Sequence, residues 1–130
     1  IKYRQNVMKS LAGHVGAVDR LVRGQVPLVD QLEMHAMASR DIARTITTLY
    51  PADSIPPEAE FAGATVATEA LPSIAEKPED FEKAAQETID ATEELVKVVQ
   101  AGKKQELPLA FKRVGESCKG CHKDFREKKE

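Results

Sequence analysis

The chain has 130 residues, of which 31% are charged, and its formal net charge at pH 7 is −2. This length fits one domain with a hydrophobic core of its own, and the small negative charge excludes the strongly basic surface of a nucleic-acid-binding protein. No stretch reaches the ~20 consecutive apolar residues of a membrane-spanning helix. We therefore expect a single domain over residues 1–130, without a membrane span and without a nucleic-acid partner.

Apolar residues recur at helical spacing in four segments, and glycine or proline separates these segments. The first segment ends at Gly24, and its apolar positions are Met8, Leu11, Val15, Val18 and Val22. The second runs from about Leu28 to Tyr50, where Pro51 closes it. Each segment predicts an amphipathic helix that buries one face.

The third helix is predicted to begin after Pro78 and to end at Gly102. The fourth is predicted to start near Gln105, because Pro108 is tolerated only in the first turn of a helix. Its apolar face consists of Leu107, Phe111, Val114, Cys118, Cys121 and Phe125. The short hinges 24–27 and 102–105 imply antiparallel neighbours, so the sequence predicts an all-α fold, an antiparallel up-and-down four-helix bundle.

The connection over residues 51–77 is long for a bundle loop and rich in proline. Within it, residues 57–70 are predicted to form a short helix with Pro57 and Glu58 in its first turn. The connection is interpreted as a passive crossover in preference to a flap or a partner surface, since some bundles contain such crossovers.

The run Cys118-Lys119-Gly120-Cys121-His122 has the C-x-x-C-H pattern of a c-type haem attachment site. Each thiol can add across a vinyl group of the porphyrin, and the adjacent histidine then serves as an axial ligand of the iron. On a helix these three side chains share one face, because they lie at i, i+3 and i+4. The motif predicts one covalent haem c on the C-terminal helix.

Other interpretations of the two cysteines need different neighbours. A structural zinc site needs four Cys or His ligands in close pairs, whereas His14 and His35 stand singly and far from the motif. A thioredoxin-like dithiol belongs in a βαβ pattern that the chain does not show. A haem-free helical interaction module with incidental cysteines is a further hypothesis, and it predicts no visible absorption.

With four helices and a C-terminal C-K-G-C-H in place, the chain resembles cytochrome c′ and its low-spin relatives, the class II c-type cytochromes. The first predicted helix resembles theirs through Tyr3-Arg4-Gln5-x-x-Met8-Lys9, followed by Arg23-Gly24. The last resembles theirs through Val114-Gly115-x-x-Cys118-Lys119-x-Cys121-His122-x-x-Phe125-Arg126. The residues at the two ends of the chain match patterns specific to this family, whereas the middle of the chain has no pattern specific to it.

The resemblance implies roles for five residues. Cys118 and Cys121 would form the thioether bonds, and His122 would be the proximal ligand of the iron. Arg126 matches an arginine beside that histidine, and Arg4 matches one that approaches a haem propionate, which a guanidinium can bind through two hydrogen bonds. The alternative for both arginines is a solvated surface charge.

Met8 falls where the resemblance places the distal side of the iron, and two mechanisms diverge there. If its thioether binds the iron, the closed coordination shell favours electron transfer, and this is the interpretation that we expect. If Met8 only packs, the iron is five-coordinate and binds NO or CO. Met34 and Met37 fit the second apolar face poorly, and His14 and His35 are predicted to be surface histidines.

We therefore expect a periplasmic mono-haem c-type cytochrome, with its leader removed, that carries single electrons between redox partner proteins. Its haem c would be held by Cys118, Cys121 and His122, with Met8 as the second axial ligand. The alternative is a five-coordinate, high-spin cytochrome c′ that binds NO or CO at an open distal site. No nucleophile–base pair indicates an enzyme, and both a monomer and a homodimer are compatible with the sequence.

Overall fold

The protein was analysed as a computed structural model, which describes residues 2–25, 27, 29–49, 58–61, 64–67 and 77–125. Its main elements are four helices, α1 (Lys2–Val22), α2 (Leu32–Ala43), α3 (Pro78–Gln100) and α4 (Leu107–Phe125). Packing runs from α1 to α2, from α2 to α3 and from α3 to α4, and α4 also meets α1. The predicted all-α four-helix bundle is confirmed.

Two apolar clusters fill the core, one towards each end of the bundle. The Val18 cluster joins the end of α1, the start of α2, the end of α3 and the start of α4, and consists of Val18, Leu21, Leu32, Ala36, Leu95, Val96, Val98, Ala110 and Val114. The Leu11 cluster joins the earlier part of α1, the end of α2 and the residues just after it, and the start of α3, and consists of Leu11, Ala43, Ile46, Phe81 and Ala85. Neighbouring helices therefore run antiparallel, as the short hinges predicted.

Positive-φ glycines end two of the helices. Gly24 has a φ of 72° and Gly102 a φ of 68°, a left-handed conformation that glycine adopts without steric cost. After α1, the backbone N–H of Gly24 donates to the carbonyl of Leu21 and that of Gln25 donates to the carbonyl of Arg20. This pair of bonds is a Schellman motif, which satisfies carbonyls at the helix end.

The second helical segment is shorter than predicted. The sequence indicated one helix from about Leu28 to Tyr50, whereas α2 is flanked by 3₁₀ turns at Val29–Gln31 and Ile46–Leu49. The Thr45 hydroxyl donates to the carbonyl of Ile42, and the Thr48 hydroxyl donates to the carbonyl of Thr45. Such side-chain bonds compete with continuation of the α-helical ladder. Tyr50 and Leu28 lie outside the described residues.

The predicted bounds of the last two helices also need small corrections. The third helix includes Pro78 as its first residue rather than beginning after it, a position where the missing N–H costs nothing. The fourth begins at Leu107, after a 3₁₀ turn at Lys104–Glu106. Pro108 then lies in the first turn, as predicted.

The prediction of a short helix over residues 57–70 is wrong. Two antiparallel strands lie there, β1 (Glu58–Phe61) and β2 (Ala64–Ala67), with Phe61 paired to Ala64 and Glu58 paired to Ala67. Thr65 and Val66 are β-branched and favour a strand. Apart from these strands and Lys77, the connection over residues 51–77 lies outside the described residues, and so does the choice between a crossover and a flap.

Within the described part of the chain, none of the helices combines the length and the hydrophobicity that crossing a membrane requires. The observed helices are amphipathic, with apolar residues on one face and charged residues on the other. This pattern is that of helices packed around a shared core.

Candidate functional site

The last two turns of α4 present the C-x-x-C-H motif on one side of the helix. Cys118, Cys121 and His122 are all half-buried and occupy positions i, i+3 and i+4. Cys118 packs against the Val18 cluster, whereas Cys121 packs against the Leu11 cluster. The two sulfur atoms therefore face the core where its two halves meet.

Burial keeps the Cys118 thiol protonated. Loss of solvent raises its pKa above the ordinary value, and a hydrogen bond with the Ser117 side chain opposes this effect only in part. The Ser117 hydroxyl donates to the carbonyl of Val114, 2.7 Å away. Cys118 and Cys121 are not joined in a disulfide. The folded chain thus holds Cys118 as a neutral thiol facing the core.

Arg4 lies in the first turns of α1 and is only 4% exposed. Its Nη1 donates to the backbone carbonyl of Leu49, with a separation of 3.3 Å. A guanidinium keeps its charge when buried and needs hydrogen-bond acceptors there. The solvated-surface alternative for Arg4 is therefore wrong.

Met8 lies on the same face of α1 as Arg4. It follows Arg4 by one helical turn and precedes the buried Leu11 by three residues, and its own side chain is half-buried. Leu11 belongs to the cluster against which Cys121 packs. The face of α1 that carries Met8 is therefore directed towards the end of the bundle that holds the C-x-x-C-H motif.

The remaining predicted candidates lie elsewhere. Met34 is 52% exposed on α2, and Met37 packs against the Val18 cluster. The prediction that both fit the second apolar face poorly is therefore confirmed for Met34 and wrong for Met37. Arg126 lies outside the described residues, so its predicted role beside His122 stays a prediction.

The two remaining histidines form a pair that the sequence did not indicate. His14 of α1 and His35 of α2 are half-buried, their Nδ1 atoms are 2.9 Å apart, and their ring centroids are 5.1 Å apart. They are therefore not the separate surface histidines that were predicted. The periodicity of a single helix does not reveal which of its residues meets a second helix.

A groove of acidic character between α3 and α4 is another feature that sequence reasoning missed. Its lining comprises Glu87, Asp90, Ala91, Glu94, Arg113, Glu116 and Ser117. Three of the carboxylates, those of Glu87, Asp90 and Glu94, are spaced three and four residues apart and so share one face of α3. That spacing is the signal that could have revealed the groove.

The residues of α4 fit a covalently attached haem. Two thiols three residues apart and an adjacent imidazole form the donor set of a c-type haem, and all three side chains are half-buried beside the core. The buried guanidinium of Arg4 adds a cation at the same end of the bundle, suited to a propionate carboxylate.

Comparison with known proteins assigns almost the whole chain to a single family. Residues 1–126 match the family described as cytochrome C′. Cytochrome c′ of Alcaligenes xylosoxydans xylosoxydans is 32% identical over 129 residues, which cover 99% of this chain and 94% of that protein. The match therefore includes both α1 and the C-x-x-C-H motif on α4.

Solved structures agree with the sequence match. The nitric oxide complex of a mutant of cytochrome c prime from Alcaligenes xylosoxidans superposes with a TM-score of 0.80 at 26% identity, covering 98% of this chain and 93% of that chain. A cytochrome c′ with an unusual ligand-controlled dimer dissociation gives a TM-score of 0.85 at 27% identity, covering 98% and 94%. The chain belongs to the cytochrome c′ family, and its cofactor is the covalently bound haem c that members of this family carry.

Proposed function

We propose that this protein is a haem c protein that binds small diatomic gases such as NO or CO. The observation that carries the proposal is its similarity, over 98% of the chain, to a cytochrome c prime solved as a nitric oxide complex. This comparison favours the gas-binding alternative over the methionine-ligated electron carrier that the sequence led us to expect.

Cys118 and Cys121 provide the two thioether bonds in this proposal, and His122 provides the proximal imidazole. Both sulfur atoms pack against core clusters, so the attachment points are held rigidly by the bundle. When bound, the haem supplies an iron that can take up an electron or a diatomic ligand. The chain holds the group, excludes water from it and limits what reaches it.

Arg4 would pair with a propionate of the haem at the same end of the bundle. Its guanidinium is buried and is fixed by the carbonyl of Leu49, so it is preorganised to pair with a propionate carboxylate. Arg126 is proposed to lie beside His122 on the strength of the family resemblance.

Met8 has a steric role in the proposal. Its half-buried thioether lies on the face of α1 shared by Arg4 and Leu11, where a flexible apolar side chain can fill space without a fixed shape. A small diatomic ligand can displace such a side chain more readily than a large ligand can. Met8 therefore selects for small ligands.

Electron transfer with Met8 as the second axial ligand is the other candidate function. The position of Met8, half-buried and one turn after Arg4, favours it. A thioether is an established axial ligand of c-type haem and raises the reduction potential. In this case the protein would exchange single electrons with redox partner proteins.

The spin state of the ferric protein separates the two functions. We expect a high-spin electron paramagnetic resonance signal from the wild type, and the same signal from Met8→Ala. A low-spin wild type that becomes high-spin in Met8→Ala would overturn the gas-binding proposal in favour of methionine ligation. Met37→Ala is the matched control, since Met37 packs against the other cluster.

We further propose a bacterial periplasmic location, a single domain over residues 1–130, and ligand binding in place of turnover of an organic substrate. The relatives that match along the chain include bacterial cytochromes c′. One similar cytochrome c′ is described as a dimer whose dissociation is controlled by ligand. A homodimer is accordingly proposed here, and sedimentation with and without CO tests it.

A further inference from the structure

The side chains of His14 and His35 bridge α1 and α2. We propose that these two imidazoles form a binding site for a divalent transition-metal ion of square-planar preference, with Cu²⁺ as the best fit. The site uses no residue of the C-x-x-C-H motif and does not depend on the proposed gas binding.

The distance between the two ring nitrogens sets the choice of metal. The Nδ1 atoms of His14 and His35 are 2.9 Å apart. Metal–imidazole bonds are ~2.0–2.1 Å long, so two such bonds at a right angle place their nitrogens about 2.9 Å apart, whereas a tetrahedral angle requires about 3.3 Å. The observed separation matches adjacent corners of a square plane, the geometry that Cu²⁺ and Ni²⁺ prefer.

Affinity trends favour copper within that class. For nitrogen ligands the divalent first-row metals bind in an order that rises to Cu²⁺ and falls again at Zn²⁺. Within the described residues, no third His, Cys, Asp or Glu joins the pair to make a larger metal-binding group. Water molecules must therefore complete the coordination, which the half-buried position of both rings permits.

The proton balance of the site is straightforward. Without metal, one ring donates its Nδ1–H to the Nδ1 lone pair of the other, because two lone pairs, or two N–H groups, would repel at 2.9 Å. On binding, both Nδ1 atoms must be unprotonated, so the donor ring moves its proton to Nε2. Protons compete for the same lone pairs, and metal binding therefore weakens as the pH falls.

The sequence makes the site easy to test. The chain has three histidines, and the third, His122, belongs to the haem motif. In the ferric holoprotein near neutral pH, Cu²⁺ is titrated against wild type, His14→Ala and His35→Ala, with binding followed by calorimetry. We expect one strong site per chain, weakened at least tenfold in each variant, since loss of even an outer-shell partner costs ~10–100-fold.

Glu94→Gln is the matched control, because Glu94 lies in the groove between α3 and α4, whose carboxylates could also bind a metal ion. It should leave the strong site unchanged. His14→Gln, which retains a polar side chain, covers the case in which His14→Ala does not fold. Copper affinity that is equal in wild type and both histidine variants overturns the proposal, as does a strong site lost only in Glu94→Gln or a preference for Zn²⁺ over Cu²⁺.

Discussion

The guanidinium of Arg4 donates from Nη1 to the backbone carbonyl of Leu49, 3.3 Å away, across 45 positions in sequence. Both residues are buried. The bond ties the first turns of α1 to the end of the 3₁₀ turn that follows α2. Leu11, Ile46 and the packed Cys121 lie in the same half of the bundle, so this contact helps to fix the wall that faces the haem-binding motif.

Replacing Arg4 by alanine should destabilise the protein. The substitution leaves the buried carbonyl of Leu49 without this donor and removes packing by the side-chain stem, so we expect a loss of about 1–3 kcal/mol in the free energy of unfolding. Urea unfolding followed by circular dichroism measures it. Lys9→Ala, at an exposed position of the same helix, should change the stability little. Equal stability of Arg4→Ala and Lys9→Ala would contradict the structural role of the bond.

The same glycine-to-alanine substitution should have opposite effects at two positions around α1. Gly24 has a φ of 72°, so Gly24→Ala should cost about 1–2 kcal/mol. Gly16 lies inside the helix, and an added Cβ there meets nothing within 4 Å, so Gly16→Ala should stabilise by about 0.5–1 kcal/mol. Thermal unfolding of the two variants and of the parent chain measures both changes in stability. Shifts of the same sign would mean that the helix does not end as described.

The haem-free chain should lose stability in alkaline solution through Cys118. Burial raises the pKa of this thiol above the ordinary value of 9.0, so the folded state keeps a proton that the unfolded chain gives up. The contribution of the protonated Cys118 thiol to the free energy of unfolding is fully present below about pH 9. It is lost as the pH rises through the pKa of Cys118 in the folded state. Urea unfolding from about pH 7 to about pH 10 should show a steeper loss in the parent chain than in Cys118→Ala. If the stability of both proteins falls equally with pH, Cys118 is not the cause of the alkaline loss.

Each cysteine should account for one covalent bond to the haem. Cys118→Ser and Cys121→Ser should each retain haem through the remaining thioether, whereas the double variant should carry none that survives acid denaturation, because serine does not form a thioether. Intact mass after unfolding checks this directly. A covalent haem in the double variant would show that the motif on α4 is not the attachment site.

Sequence periodicity identified the bundle because its buried positions repeat with the helical period. Val18, Leu95 and Val114 are each almost fully buried, and each lies on an apolar face that the spacing defines. The helix α2 ends earlier than predicted. The hydroxyls of Thr45 and Thr48 bond to nearby backbone carbonyls, and apolar spacing does not reveal such bonds. The strands β1 and β2 were missed because each has only four residues, which is too short for a clear period.

The haem-binding residues were predictable for a different reason. The motif at 118–122 is local, so its chemistry can be recognised without knowing the fold. The burial of Arg4 and the pairing of His14 with His35 depend on which helices meet, and one sequence does not contain that information. The residue type of Met8 does not decide between ligation and packing, because methionine allows both, and ligation was expected from the resemblance to the low-spin relatives.

The visible spectrum of the dithionite-reduced protein, recorded before and after addition of CO, tests the central claim most directly. If the iron is open to diatomic gases, the broad high-spin spectrum of the wild type should shift at once with CO, and Met8→Ala should respond in the same way. A sharp, split α/β spectrum that CO leaves unchanged in the wild type, but not in Met8→Ala, would contradict gas binding. It would instead establish Met8 as the ligand of an electron carrier.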